Sequence, residues 1–418
     1  MRTKTLYKIL NVKCLLVFIL LFSLNGYSQT LEDYLKIASK NNAEVKAAYS
    51  RFEAAMQKSP QVSSLPDPSL TMSAFGRMIE TRVGSQEARF SLMQMFPWFG
   101  TLEAKKNATS LMAEANFQNY VDTKNDMLFQ VKKVYGELYE LQQLVRLEEE
   151  NLRILISYKD LSLSKFKSGK GAMVDVVRID IKKNESLTNI ELLKDKNQPL
   201  QVAFNNLLNR NSEAAIKIPE ILPLYSNSTS IETDTIFQHN PKIVSLDKQK
   251  ASFEAQKLIA KKEGFPKIGL GLDYSIISKR DVPNLEMNGQ DAIMPMLSVT
   301  LPIFRKKYKA AQKEAEFMIQ ATEYKKEAVK NNLTSSYSSA QYDLSKSKSM
   351  LNLYKNQLES TKQATYLLVA AYSNSGSDFV EILRMNQDLL LYEKARVTEL
   401  KNQFTAQAKL DYLLSKDE

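Results

Sequence analysis

The 418 residues contain one cysteine, one histidine, one tryptophan, twelve glycines and twelve prolines. Each scarcity excludes something. The lone cysteine, Cys14, lies in the N-terminal leader, so no intrachain disulfide can form. Val12 and Lys13 precede it instead of the small and apolar residues that flag a lipid-modified cysteine, so no lipid anchor is expected. His239 is the only histidine, which excludes a histidine-pair metal site and confines any Ser-His-Asp triad to one place. Beside Pro241 at a helix start, it reads as structural. No Walker-type glycine loop with its lysine occurs, so nucleotide hydrolysis is not indicated. No catalytic, metal or cofactor site emerges, and the chain reads as a non-enzyme. After the leader, no apolar run reaches the ~20 residues of a spanning helix.

The leader itself is legible. Arg2, Lys4, Lys8 and Lys13 precede the apolar run Cys14 to Leu24, with Gly26 and Ser28 before a cut, so residues 1–28 are predicted to be a secretory signal and Gln29 the mature N-terminus. Lys and Arg number 57 against 47 Asp and Glu; without the leader's four basic residues the balance is 53 to 47, a net charge of +6. The charges intermingle along helical stretches, which fits solvated faces and no nucleic-acid partner.

The few glycines and prolines leave two long uninterrupted stretches. Between Gly100 and Ser168 only Gly136 intervenes, and between Ile303 and Ser373 neither residue type occurs. Each stretch predicts one helix of about 100 Å. In the first, Val134, Leu138, Leu141, Val145, Glu148, Leu152 and Leu155 follow the 4-3 spacing of a coiled-coil seam. In the second, Leu333, Tyr337, Ala340, Leu344, Ser347, Leu351, Tyr354, Leu358, Thr361, Thr365 and Leu368 do the same. An offset of 206 maps Val134 on Ala340, Leu138 on Leu344 and Leu152 on Leu358, so the chain is internally duplicated. Both stretches end in matching turns. Phe166 stands nine residues before Asp175 and twelve before Arg178; Tyr372 stands likewise before Glu381 and Arg384. Gly169 and Gly376, with neighbouring serines, let the helix stop and the chain reverse into a second helix, near 174–209 and, from Asp378, near 378–414.

Ahead of each long helix lies a pair of strand-like segments. Pro68 and Pro97 bracket the first pair, Pro266 and Pro302 the second, and proline suits such strand–helix junctions because it has no donor to offer a ladder. Ile268, Leu270, Leu272, Tyr274 and Ile276 alternate with Lys267, Gly269, Gly271, Asp273 and Ser275. Ile293, Pro295, Leu297, Val299 and Leu301 alternate likewise with Met294, Met296, Ser298 and Thr300. About ten residues of this pattern cross an outer membrane as a tilted strand. The first pair, near 69–76 and 88–96, is less regular, since Gln94 shares a face with Phe90 and Leu92. Residues 77–87 and 278–291 read as exposed loops. Four strands cannot close a membrane barrel, so several chains must share one. Met72, Met78, Met93, Met95, Met287, Met294 and Met296 gather in these strands and loops; thioethers pack adaptably, the reading favoured here, and also ligate soft ions such as copper(I).

The fold class read from these features is mainly α with a small β part. A signal peptide, a duplication, two strands per half and a long helical hairpin per half together resemble the TolC-like outer-membrane efflux factor family over essentially the whole mature chain. Asn41, Asn42 and Ala43, echoed by Asn240 and Pro241, are similar to the family's leading-helix motif. Phe96, Pro97, Trp98, Phe99 and Gly100 are similar to its strand-exit motif, most of all in the heavy-metal branch. The resemblance implies a homotrimer whose twelve strands form one barrel in the outer membrane above a helical tunnel in the periplasm. It implies a passive duct with no cofactor, energised by an inner-membrane pump, expected to be proton-driven, through a periplasmic adaptor docked at the hairpin tips. Gly169, Asp175, Arg178, Gly376, Asp378, Glu381 and Arg384 would form that mouth; Arg384 departs from the second carboxylate of the best-known members. On this reading residues 29–210 form the first repeat, with tip 166–178. Residues 211–232 form an equatorial linker, and 233–418 the second repeat, with tip 372–384. Two alternatives stand beside it: the exit duct of a type I protein-secretion system, and an exported coiled-coil scaffold with no channel.

Overall fold

The computed structural model describes residues 30–223, 237–375 and 379–415. The expected signal, the second half of the linker, and Gly376 and Asp378 of the tip lie outside the described residues. In chain order the elements are α1 (Leu31–Asn41), α2 (Ala43–Ser63), β1 (Ser69–Thr81), β2 (Gly84–Phe96), α3 (Thr101–Lys167), α4 (Met173–Leu207), α5 (Pro241–Glu263), β3 (Lys267–Ser278), β4 (Ala292–Thr300), α6 (Lys306–Ser375) and α7 (Phe379–Leu413). The two uninterrupted stretches are the two long helices, and the seam positions Leu138, Leu141, Leu155, Leu333, Tyr337, Ala340, Leu344 and Leu358 are buried. The described backbone divides into two compact units, one of residues 30–45, 124–223, 336–375 and 379–415, the other of 46–123 and 237–335.

In the first unit, α1 opens with a capping box: Thr30 Oγ1 accepts from the Asp33 N–H, and the Asp33 carboxylate accepts from the Thr30 N–H. This places Tyr34 between Tyr135 and Phe204, ring centroids 6.2 and 5.1 Å away, all three fully buried. The Tyr34 hydroxyl avoids an unpaired burial by accepting from the Lys217 N–H at 2.9 Å. Burial pushes the Tyr135 phenol up to about 12, and Tyr34 acts in the same direction. Asn42 separates α1 from α2. Its Oδ1 accepts from Glu44 and Val45 N–H groups, and its Nδ2 donates to the Leu207 carbonyl, so the Asn motif is a helix cap that also fixes the end of α4.

In the second unit, α5 starts with the Asn240 cap and Pro241. Small residues seven apart let it approach α3 closely. Ser245 Oγ donates to the Ala115 carbonyl at 3.0 Å and Ser252 Oγ to the Ala108 carbonyl at 2.8 Å. Toward α6, Lys250–Glu323 and Lys257–Glu316, again seven apart, pair at 2.7 and 3.0 Å. The sheet has the order β1-β2-β3-β4 with every neighbour antiparallel. Pro68 directly precedes β1 and Pro97 directly follows β2; Pro266 precedes β3, and Pro302 lies two residues beyond β4. Residues 279–291 form the loop expected between β3 and β4.

One loop expectation is corrected. Residues 77–87, read as an exposed loop, are mostly strand: β1 continues to Thr81, β2 starts at Gly84, and only Arg82 and Val83 turn between them. A bulge between Ala74 and Ile79 breaks the alternation, so the pattern is lost although the ladder resumes. The charges are also satisfied within strands, with Glu80 accepting from Ser85 at 2.6 Å and pairing with Arg280 at 3.1 Å. Polarity alone does not separate a solvated strand from a loop.

Candidate functional site

At the first tip, α3 ends in a Schellman arrangement. The Lys170 N–H bonds the Lys165 carbonyl and the Gly169 N–H that of Phe166, with Gly169 at φ +72°, a conformation glycine adopts freely. Asp175 and Glu381 stand in the first turns of α4 and α7, where a carboxylate favours the helix macrodipole. Each faces an arginine three residues on, Asp175–Arg178 at 3.4 Å and Glu381–Arg384 at 3.9 Å. The two tips are nonetheless unequal. The Asp175 side chain is 13% exposed and that of Glu381 49%.

Beneath the tips, Leu155, Ile179, Tyr372, Phe379, Ile382 and Leu383 form one buried cluster joining α3 and α4 to α6 and α7. Lys165 ties α3 to α6 through charge. Its Nζ donates to the carbonyls of Tyr372 and Ser373 at 3.1 and 3.0 Å, and lies 5.4 Å from the Tyr372 ring centroid. A cation thus meets the orphan carbonyls near the end of α6. Burial raises the Tyr372 phenol above its ordinary value; the Ser162 hydroxyl offsets this, and Asp175 adds to it. One level further along the hairpins, Lys159 donates to both Asp180 oxygens at 2.6 and 2.8 Å. Deeper still, Glu148 is 1% exposed in the α3 seam, where it pairs with Lys394 and accepts from Ser186 and Asn189 at 3.0 and 3.2 Å. Beside it Asn386 donates to Asn151 at 2.9 Å. In the duplicated positions, Tyr354 stacks on Tyr392 with centroids 6.3 Å apart.

Lys165, Lys159 and Asp180 were not among the sequence candidates. One signal was available for Lys165: the repeat offset puts Ala371 in its place, a departure within an otherwise matched tip. The geometry of the tips offers ion pairs and cation–carbonyl contacts that can be exchanged for others.

The sheet is inside out by the standards of a water-soluble protein. Along β3 the apolar face is the exposed one: Leu270, Leu272 and Tyr274 lie open, while Gly269, Asp273 and Ser275 on the polar face are buried. Register extends this across strands, with Leu70, Leu92 and Leu272 in one row and Thr71, Ser91 and Asp273 in the next. Met93, Met95 and Met296 cover the two glycines of β3. A Cβ at Gly269 would lie 2.6 Å from Met95 Sδ, and one at Gly271 2.8 Å from both the Leu92 carbonyl oxygen and Met93 Cε.

Residues 234–415 match the family model described as Outer membrane efflux protein. They belong to that family. The fold likeness reaches further than the family match. VceC, an outer membrane protein of Vibrio cholerae, is 16% identical, covers 92% of this chain and 95% of its own, and gives a TM-score of 0.75. The open state of the Neisseria gonorrhoeae outer membrane channel MtrE is 17% identical, covers 92% and 88%, and gives 0.74. The outer-membrane channel OprN is 17% identical, covers 92% and 89%, and gives 0.77. No curated protein matches the chain. At these identities the structures establish the fold alone: a mostly helical architecture with one small antiparallel sheet. Gly169, Asp175, Arg178, Glu381 and Arg384 all lie at its hairpin tips, Pro68, Pro97, Pro266 and Pro302 within two residues of strand ends, and Gly100 directly before α3.

Proposed function

We propose that the chain is one subunit of a passive homotrimeric duct through the outer membrane, carrying small molecules or metal ions handed on by a periplasmic adaptor and an inner-membrane pump. The observation that carries this reading is the inverted sheet. An exposed apolar face of membrane-length strands costs nothing in lipid and much in water, which argues against a coiled-coil scaffold with no channel. β1 and β4 are the sheet's two outer strands, and lipid offers no partner for their outward backbone groups. Neighbouring copies supply those partners if β4 of one chain pairs with β1 of the next, and three copies give twelve strands. The family membership and the outer-membrane channels of the same fold support this assembly. Energy comes from the pump, since the duct supplies none.

The tips form the gate in this reading. Asp175 and Glu381, with Arg178 and Arg384, hold the closed mouth through exchangeable pairs, and adaptor contacts replace them on opening. The test is single-channel conductance of the detergent-purified protein in planar bilayers, with its oligomeric mass measured alongside. Discrete channels from a trimer are expected, with a higher leak when Asp175, Glu381 and Arg384 are all replaced by alanine. A non-conducting monomer would sink the duct; an unchanged leak would remove the gating role alone.

A further inference from the structure

The two ends of the sheet differ in charge. At the loop end, residues 77–87 and 278–291 carry four basic residues against five acids. At the helix end, residues 64–68, 97–106, 261–267 and 301–309 carry nine basic residues against three acids, Asp67, Glu103 and Glu263. Apolar and basic groups adjoin there in one exposed strip: Leu301, Ile303 and Phe304 are 66, 70 and 78% exposed and run directly into Arg305, Lys306, Lys307 and Lys309. Phe99 is as open as these at the start of α3. None of the three lysines forms an ion pair among the described residues.

These lysines also oppose their own helix. α3, α4 and α7 each place an acid in the first turn, whereas α5 and α6 have none, and α6 fills the turn with cations at the positive end of its macrodipole. A charge arrangement that costs the isolated chain stability calls for compensation from outside it. Next to the strip, a cavity of about 760 Å³ has Trp98, Phe265 and Ile259 among its apolar walls and Lys105, Lys262 and Lys267 among its basic ones. Trp98 stacks on Phe265 at 5.1 Å, and Lys262 donates to the Phe99 carbonyl at 3.1 Å. Aromatic and basic groups where an apolar sheet face ends suit the boundary between acyl chains and headgroups.

We propose that this collar binds the anionic phospholipids of the leaflet at the helix end of the sheet, phosphates on Lys306, Lys307 and Lys309 and acyl chains along Leu301, Ile303 and Phe304. The occupant follows from charge complementarity and from continuity with the apolar sheet face, and the inference rests on the membrane reading above. It gives the collar a purpose, fixing the depth and rotation of the sheet in the bilayer, that the duct function does not require.

The test uses the full-length protein in vesicles of phosphatidylcholine, alone or mixed with phosphatidylglycerol. Insertion is scored by resistance to alkaline extraction, and retained lipid by native mass spectrometry. Wild type is expected to insert into both and to retain phosphatidylglycerol over phosphatidylcholine by at least about tenfold. The triple variant Lys306→Gln/Lys307→Gln/Lys309→Gln is expected to insert equally and to lose the preference, whereas Lys279→Gln/Arg280→Gln at the loop end keeps it. In neutral detergent the triple variant is expected to melt no lower than wild type, because cations leave the wrong end of a helix. Insertion without preference, or a triple variant that keeps the preference, overturns the collar alone. Failure to insert into either vesicle overturns the membrane reading as well. Inorganic phosphate that protects wild type as well as phosphatidylglycerol does would make this a free-anion site and overturn the lipid assignment.

Discussion

Asp180 accepts two hydrogen bonds from Lys159 and faces Lys183 at 3.5 Å, and the Lys159 bond is the main reason its carboxyl sits below the ordinary carboxylate value, with burial acting against it. A folded value below the unfolded one means that the group stabilises the fold above the ordinary carboxylate range and loses that contribution as pH falls through the folded value. Asp180→Asn is therefore expected to lower stability at neutral pH, with the gap to wild type closing below about pH 4. Urea unfolding at the two pH values checks this, and a gap independent of pH would mean that the pair contributes nothing. Such pairs were not legible in the sequence. The two tip acids and their arginines were, because they recur at a fixed offset. Lys165 was not, because its partners are 207 and 208 residues away and its counterpart is an alanine. Duplication exposes what the repeats share and hides what only one of them does.

Among the elements, the two long helices were read to within a few residues, since a 3.5-residue period sustained over many turns leaves little freedom for another structure. The strands were read where alternation was intact, in β3 and β4, and missed where the β1 bulge interrupts it. The roles of Gly269 and Gly271 needed the sheet register, which brings Met93, Met95 and Met296 across them from both neighbouring strands. The two glycines are expected to differ. Gly269→Ala meets mainly the sulfur of a flexible side chain, so Met95→Ala should rescue it. Gly271→Ala also meets the Leu92 carbonyl oxygen, which no side-chain change moves. Yields of folded, heat-modifiable protein on gels compare the single and paired variants; equal rescue at both positions would mean that the backbone contact yields.

For the whole molecule, the proposed placement of the sheet in lipid leads to an asymmetry between its faces. Leu272 is on the exposed apolar face and Ser91 on the opposite one, one residue away in register. Leu272→Arg is expected to cost about 2 to 4 kcal/mol of barrel stability if the residue lies near the midplane, and Ser91→Arg little. Guanidine unfolding in vesicles measures both, and equal losses would place both residues in protein rather than one in lipid. The sheet's topology has a last consequence. Four antiparallel strands in sequential order leave β1 and β4 pointing in opposite directions, so β4 of one copy can continue into β1 of the next without reversing the alternation. The proposed ring then uses two different edges at each join and no join is spare. A copy with one sound edge and one spoiled edge still recruits a neighbour but cannot let the circle close, so at the level of inheritance its defect passes to its partners instead of being diluted by them.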